Sequence, residues 1–201
     1  MSYRRADFAP APGGVLPPQA PPVGAPRAVV AVVALGCGLL TARPLLVGVG
    51  GPGPVLTALF VGLLVVGVLW PAGAEDAPHQ RSLPVLLLGM GAFALGRVLT
   101  GGSPAVAAAT PFVVGINTLA AVAEEAFFRR LAYGALLAGG PTAALVGSSL
   151  LFAAVHVTVY GLWVLPLDLA AGLLLGWQRQ ATGSWAVPAV THAFANLLVV
   201  L

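Results

Sequence analysis

The sequence predicts an all-α fold, a polytopic transmembrane helical bundle with about seven membrane helices. Three observations support this. Hydrophobic residues make up 59% of the 201-residue chain and charged residues only 7%, whereas a soluble domain is nearer 45–50% apolar and about 25% charged. Several apolar stretches are long enough to cross a bilayer as helices. Membrane β-barrels show a regular alternation of polar and apolar residues, and this chain has no such alternation.

The spans follow from the apolar stretches and the breakers between them. Gly- and Pro-rich turns occur at 50–54, 101–104 and 139–141, and the loop at 71–81 is polar. The predicted spans are 28–49, 55–70, 83–99, a fourth beginning between 105 and 111 and ending near 138, 142–160, 162–178 and 185–201. Tryptophans fall near span ends, as in the aromatic belt of a membrane protein: Trp70, Trp163, Trp177 and Trp185.

The domain organisation is a Pro- and Ala-rich tail at 1–26, expected to be disordered, followed by a membrane domain at 27–201. Arginines near span ends predict the orientation, because cytoplasmic loops carry more of them. With the tail inside, the cytoplasmic arginines are Arg4, Arg5, Arg27, Arg81 and Arg179, against Arg43 and Arg97 outside. We therefore expect a cytoplasmic N-terminus.

Charge and cysteine content exclude several functions. The net charge of +3 comes from arginines scattered along the chain, and it is too small to indicate a nucleic-acid partner. The single cysteine, Cys37, rules out an internal disulfide framework and a cysteine-based metal site. We expect the partners to be the lipid bilayer and a peptide or membrane-protein substrate.

The stretch 121–130, AVAEEAFFRR, places two acids and two arginines inside an apolar run. Ionisable groups at membrane depth are rare and mark sites or pathways. On a helix Glu125 and Arg129 share a face and can pair, whereas Glu124 points about 100° away. Glu124 is therefore the better candidate for a reactive carboxylate. The alternative is a helix end at which the charges reach the membrane surface.

Few strongly polar residues lie in the other spans: Asn117, His156, Asp168, His192 and Asn196. A lone histidine on a helix is more often structural, but polar groups in a bilayer need partners. With a rise of about 1.5 Å per residue, Glu124, His156 and His192 reach depths that overlap within roughly two helical turns. His192 and Asn196 are four apart and share a helix face. The same reckoning buries Arg129 and Arg130, which would require a water-filled cavity or a broken helix.

Three stretches resemble the motifs of a known family, in the same order and on three membrane segments. They are Glu124-Glu125-Ala-Phe-Phe-Arg129, Phe152-Ala-Ala-Val-His156 and His192-Ala-Phe-Ala-Asn196. They resemble Glu-Glu-x-x-Phe-Arg, Phe-x-x-x-His and His-x-x-x-Asn of the type II CAAX prenyl protease and bacteriocin-processing family, the abortive-infection-type membrane proteases. The resemblance covers about 110–200. Arg130 departs from it, because the family usually has glycine there.

The resemblance implies an intramembrane endopeptidase with a protease-like core at about 105–201. It assigns Glu124 and His156 to the activation of water and His192 and Asn196 to the stabilisation of an oxyanion. Glu125 and Arg129 would support the helix and balance charge. No cofactor is expected.

A zinc enzyme with Glu124, His156 and His192 as ligands is an alternative. His-Glu-x-x-His spacing is missing from the sequence, however, and asparagine is a poor zinc ligand. Two further alternatives are a non-catalytic membrane immunity or scaffold protein and a small transporter. The Ala-, Gly- and Pro-rich composition with arginine as the only strong base suggests a bacterial cell-membrane protein, for which prenylated substrates are not expected.

Overall fold

The computed structural model describes residues 26–71, 82–99 and 109–200, and within them the all-α prediction is confirmed. Most of the predicted tail and of the polar loop at 71–81 lies outside the described residues. Nine α-helices occur in this part of the chain: α1 Pro26–Thr41, α2 Arg43–Gly50, α3 Pro52–Leu69, α4 Ser82–Leu99, α5 Pro111–Glu125, α6 Tyr133–Leu136, α7 Pro141–Tyr160, α8 Leu165–Thr182 and α9 Ala186–Val200.

The seven predicted spans coincide with helical segments, but fewer of them meet the length and apolarity of a membrane crossing. Four helices do: Pro52–Leu69, Ser82–Leu99, Pro111–Gly139 and Pro141–Tyr160. A fifth span results if α1 and α2, bent by 59°, are counted together. The last helix, Ala186–Val200, is apolar but short. The described residues thus form a helical membrane bundle in which the number of full crossings is nearer five.

The bend between α1 and α2 interrupts what the sequence predicts as one span. Pro44 lies in the first turn of α2 and lacks the N–H that would continue the hydrogen bonding of α1. The side chain of Thr158 on α7 donates to the carbonyl of Thr41 at 2.9 Å, at the end of α1. The bend therefore brings Arg43 towards the C-terminal end of α7.

The fourth span is one continuous helical segment with a change of winding. Thr110 caps its first turn by accepting from the N–H of Val113. After Glu125 the helix widens to a π-helix over Ala126–Ala132, followed by α6 and a 3₁₀ turn at Leu137–Gly139. The helical segment is therefore continuous through Arg129 and Arg130, with a change of winding and no break. Such π segments occur frequently at functional sites.

The π segment packs closely against α3. A Cβ atom on Gly67 would lie 2.7 Å from the carbonyl carbon of Ala126, so only glycine allows this approach. Arg130 donates to the carbonyls of Gly67 and Trp70 at 2.7 and 2.9 Å. A cation therefore satisfies the carbonyls at the C-terminal end of α3, where the helix dipole is negative.

The core next to the site is aromatic. The rings of Phe127 and Phe128 meet edge to face at 5.0 Å between centroids, and those of Phe128 and Phe152 at 5.5 Å. Edge-to-face contacts of this kind stabilise packed cores. They fix the π segment, which follows the two adjacent acids, against α7.

Arg179 corrects one step of the orientation argument. It is buried within α8, with Nε donating to the carbonyl of Arg129 at 3.0 Å and Nη1 donating to the carbonyl of Gly183. Arg43 is also largely covered. Neither is a loop arginine, because each interacts with the interior of the bundle. The cytoplasmic N-terminus remains a prediction supported by fewer arginines.

Candidate active site

Glu124 and His156 face each other across the interface of α5 and α7. The distance from Glu124 Oε2 to His156 Nε2 is 3.8 Å. Both residues are buried, with exposed fractions of 3% for Glu124 and 9% for His156. His156 Nδ1 lies 2.7 Å from the carbonyl oxygen of Phe152, one turn earlier on α7. A carbonyl can only accept, so Nδ1 is the donor and Nε2 faces the carboxylate.

Two charged residues outside the three motifs flank this pair. Arg43, at the start of α2, has its Nη1 4.0 Å from Glu124 Oε1 and its guanidinium 5.9 Å from the ring centroid of Phe60. Asp168, in the first turn of α8, has its Oδ2 3.7 Å from His156 Nδ1. Arg43, Glu124, His156 and Asp168 therefore follow one another from α2 to α8.

Glu125 forms a second, separate cluster. It lies 3.1 Å from Nε of Arg129, the contact predicted from their spacing of four residues. Its Oε1 also accepts from Nδ1 of His192 at 2.9 Å. Glu125 and Arg129 are fully buried, and the guanidinium lies 5.2 Å from the ring centroid of Phe152. The charges are thus paired inside the bundle, as buried charges must be.

Asn196 joins α9 to α5 through the backbone. Its Nδ2 donates to the carbonyl oxygen of Asn117 at 3.1 Å, while Asn117 Nδ2 donates to the carbonyl of Val113 at 2.8 Å. The Asn196 amide has a second N–H on the same nitrogen. One hydrogen is therefore used in holding α9, and the other remains able to donate.

The four residues assigned to catalysis thus lie where the same helices meet, but they do not all contact one another. Glu124 contacts His156, His192 contacts Glu125, and Asn196 contacts the backbone of α5. The ring of Phe152 separates the histidines, with centroid distances of 4.7 Å to His156 and 5.6 Å to His192. That His192 and Asn196 aim their donors at one point stays a prediction. His192 Nδ1 is engaged by Glu125, so only its Nε2 can face a substrate.

The alternative zinc set is not assembled here. Among residues 26–71, 82–99 and 109–200, no group of three or more His, Cys, Asp and Glu side chains has the arrangement of a metal site. Glu124 and His156 lie together, whereas His192 turns its Nδ1 to Glu125.

Two open apolar grooves lie elsewhere on the bundle. One, of about 200 Å³, lies between α1 and α3 over Phe127. The other, of about 290 Å³, is bordered by α1, α6 and α7. Their linings are almost wholly hydrophobic and include neither Glu124 nor either buried histidine, so the polar junction is the candidate site.

Sequence reasoning missed Arg43 and Asp168 as members of the site. Asp168 is one of the few strongly polar residues of the predicted spans and Arg43 was assigned to the outside, but neither was linked to Glu124 or His156. The sequence did contain a signal for both residues, because a charge inside an apolar stretch often marks a functional site. Which residue each charge approaches depends on how helices far apart in sequence pack together.

Comparison with known families agrees with the three motifs. Residues 104–198 match the model of the family described as type II CAAX prenyl endopeptidase Rce1-like. Searches of curated proteins and of solved structures give no match. The matched residues include α5, the π segment and α7 to α9, which carry Glu124, His156 and His192. Over residues 104–198, this membrane protein thus matches the type II CAAX prenyl endopeptidase Rce1-like family.

Proposed function

We propose that the chain is an intramembrane endopeptidase that hydrolyses a peptide bond of a membrane-associated protein or peptide with water activated by Glu124 and His156. The observation that supports this most directly is the buried approach of Glu124 Oε2 to His156 Nε2 at 3.8 Å. That distance is too long for a direct hydrogen bond. It suits a water molecule that contacts both groups at once.

The reaction would begin with proton transfer. Glu124 takes a proton from the water as the water oxygen attacks the carbonyl carbon of the substrate. The tetrahedral intermediate then collapses, the C–N bond breaks, and the leaving amine takes up the proton. A positioned base and acid of this kind contributes about 10²–10⁴-fold to a rate.

Donors for the developing oxyanion come from α9. The second N–H of Asn196 is one. His192 is the other, and it must carry protons on both ring nitrogens, because Nδ1 already donates to Glu125. The Glu125 carboxylate favours that charged form of the ring. Removing one such donor typically lowers turnover by about 10²–10³-fold.

The substrate is proposed by class only. The family description names CAAX prenyl endopeptidases, whereas the composition suggests a bacterial protein and therefore an unprenylated peptide or membrane protein. We further propose that the protein resides in a bacterial cell membrane with its N-terminus in the cytoplasm.

The test compares Glu124→Gln with the wild type in lipid nanodiscs, using two quenched fluorescent substrates. One is a farnesylated CAAX peptide and the other is an unprenylated transmembrane peptide. We expect cleavage by the wild type to fall by at least about 10²-fold in Glu124→Gln, because the amide keeps the shape but cannot accept the proton. Folding should change little, since a neutral amide is easier to bury than a carboxylate.

Gln180→Ala on the exposed side of α8 is the control and should cleave like the wild type. Wild-type turnover in Glu124→Gln would refute the proposed role of this residue. Metal dependence is tested on the wild type with EDTA and phenanthroline. We expect retained activity, and inhibition that added zinc reverses would overturn the metal-free mechanism.

A further inference from the structure

We propose that Asp168 is a positioning residue for His156, holding the ring orientation and the charge that the Glu124–His156 pair needs. The inference rests on the proposed function for its catalytic consequence, but the contact itself can be tested without it. Asp168 Oδ2 is a buried carboxylate oxygen without a hydrogen-bond partner among the described residues. The His156 ring faces this oxygen, with Nδ1 at 3.7 Å.

The packing of α7 and α8 explains why Asp168 reaches His156. The two helices are antiparallel neighbours and approach closely where α8 has glycine. A Cβ on Gly172 would lie 3.2 Å from atoms of Ser149, and one on Gly176 would lie 3.3 Å from Ser149 Oγ. Asp168, Gly172 and Gly176 recur every four residues and share one face of α8. The face that approaches Ser149 therefore also carries Asp168 towards His156, two turns further along α7.

Aromatic rings lie on both sides of His156 along α7, and polar groups lie near its two ring nitrogens. Phe152 and Tyr160 lie one turn before and one turn after it, with ring centroids at 4.7 and 6.0 Å. Nδ1 is bound to the Phe152 carbonyl, and a carboxylate lies beyond each ring nitrogen. The ring thus lies between Glu124 on one side and Asp168 on the other.

This arrangement has a chemical consequence. A ring with its hydrogen on Nδ1 can accept a hydrogen bond from the water at Nε2, and a carboxylate near Nδ1 stabilises the positive charge that this draws onto the ring. Asp168 would therefore act through His156 and touch neither the water nor the substrate.

The first experiment reads the contact directly. The chain has three histidines, so ¹⁵N-histidine labelling of the full-length protein in nanodiscs gives a simple imidazole spectrum, assigned with His156→Gln and His192→Gln. We expect Asp168→Asn to shift the His156 resonances and leave those of His192 in place, and Asp168→Glu to restore them in part. Unchanged His156 resonances, or equal shifts at both histidines, would overturn the proposal.

The second experiment measures cleavage with the two substrates described above. We expect Asp168→Asn to lower kcat by roughly 10–100-fold with little change in KM, as loss of a partner behind a functional histidine does. Asp168→Glu keeps the charge and should recover part of that loss. Gln180→Ala, on the same helix, is the matched control.

The two readouts separate the possible failures. If the wild type cleaves neither substrate, the proposed function fails, and the spectrum still decides whether Asp168 holds His156. If the wild type is active and Asp168→Asn retains full kcat, the positioning role is refuted even where the resonances shift. If Asp168→Asn folds poorly, Asp168→Glu is compared with the wild type in its place. An inactive Asp168→Glu protein whose His156 resonances are unchanged would refute the proposal.

Discussion

The carboxylate of Glu125 accepts a hydrogen bond from His192 Nδ1 at 2.9 Å, so the second acid of the first motif holds the histidine of the third motif. The neighbouring acid, Glu124, faces His156 instead. The two adjacent carboxylates on α5 thus contact residues of different helices, because they point about 100° apart. Substitutions at the two positions should consequently differ in kind. Those around Glu125 should affect stability, and those around Glu124 should affect chemistry.

Arg129→Ala should lower the free energy of unfolding by about 3–5 kcal/mol, because it removes the guanidinium from the buried carboxylate of Glu125, which then keeps only its hydrogen bond from His192. Both groups are fully buried and lie 3.1 Å apart. The measurement is denaturant unfolding in detergent micelles. Arg27→Ala, which removes an exposed arginine, is the control. An Arg129→Ala protein as stable and active as the wild type would contradict the role assigned to this pair.

Asn196→Ala should lower turnover by about 10²–10³-fold and leave KM nearly unchanged, because it removes one proposed oxyanion donor. It also removes the hydrogen bond to the Asn117 carbonyl. The loss of one such bond costs only about 0.5–1.5 kcal/mol, so the protein should still fold. Steady-state kinetics and thermal unfolding together check this. A rise in KM at constant kcat would point to substrate binding instead.

Gly67→Ala should destabilise the protein by about 1–3 kcal/mol, because the added methyl group meets the backbone of Ala126 in the π segment. Activity should fall as well, since Ala126 follows the two acids directly. Gly91→Ala on α4 is the matched control. Nothing lies within 4 Å of its added methyl group, and alanine is favoured over glycine in a helix by about 0.5–1 kcal/mol. Equal effects of the two substitutions on unfolding would show that the contact with α3 is unimportant.

Arg43→Gln should lower kcat by roughly tenfold or more, because its guanidinium lies 4.0 Å from Glu124 Oε1 and helps to orient the carboxylate. Arg43→Lys keeps the charge and should lose less. Arg27→Gln removes an exposed arginine near the start of the same predicted span and should behave as the wild type. Full turnover in Arg43→Gln would place this residue outside the site.

The sequence alone was sufficient to predict the class of fold and the resemblance to a known family. Long apolar stretches predict membrane helices because the backbone must bond internally in lipid, and helices do lie at those positions. The spacing of Glu125 and Arg129 predicted their contact, since residues four apart on a helix are neighbours. The three motifs indicated the family that matches residues 104–198.

Only the tertiary structure decided which carboxylate meets which histidine. The approach of α9 to α5 brings His192 to Glu125, and the close approach of α7 and α8 at Gly172 brings Asp168 to His156. The bend before Arg43 and the π segment after Glu125 also have no periodic signature in the sequence. Helical periodicity determines the face on which a residue lies. Its partner is determined by the packing of helices far apart in the chain, which depends on the fit of many side chains together.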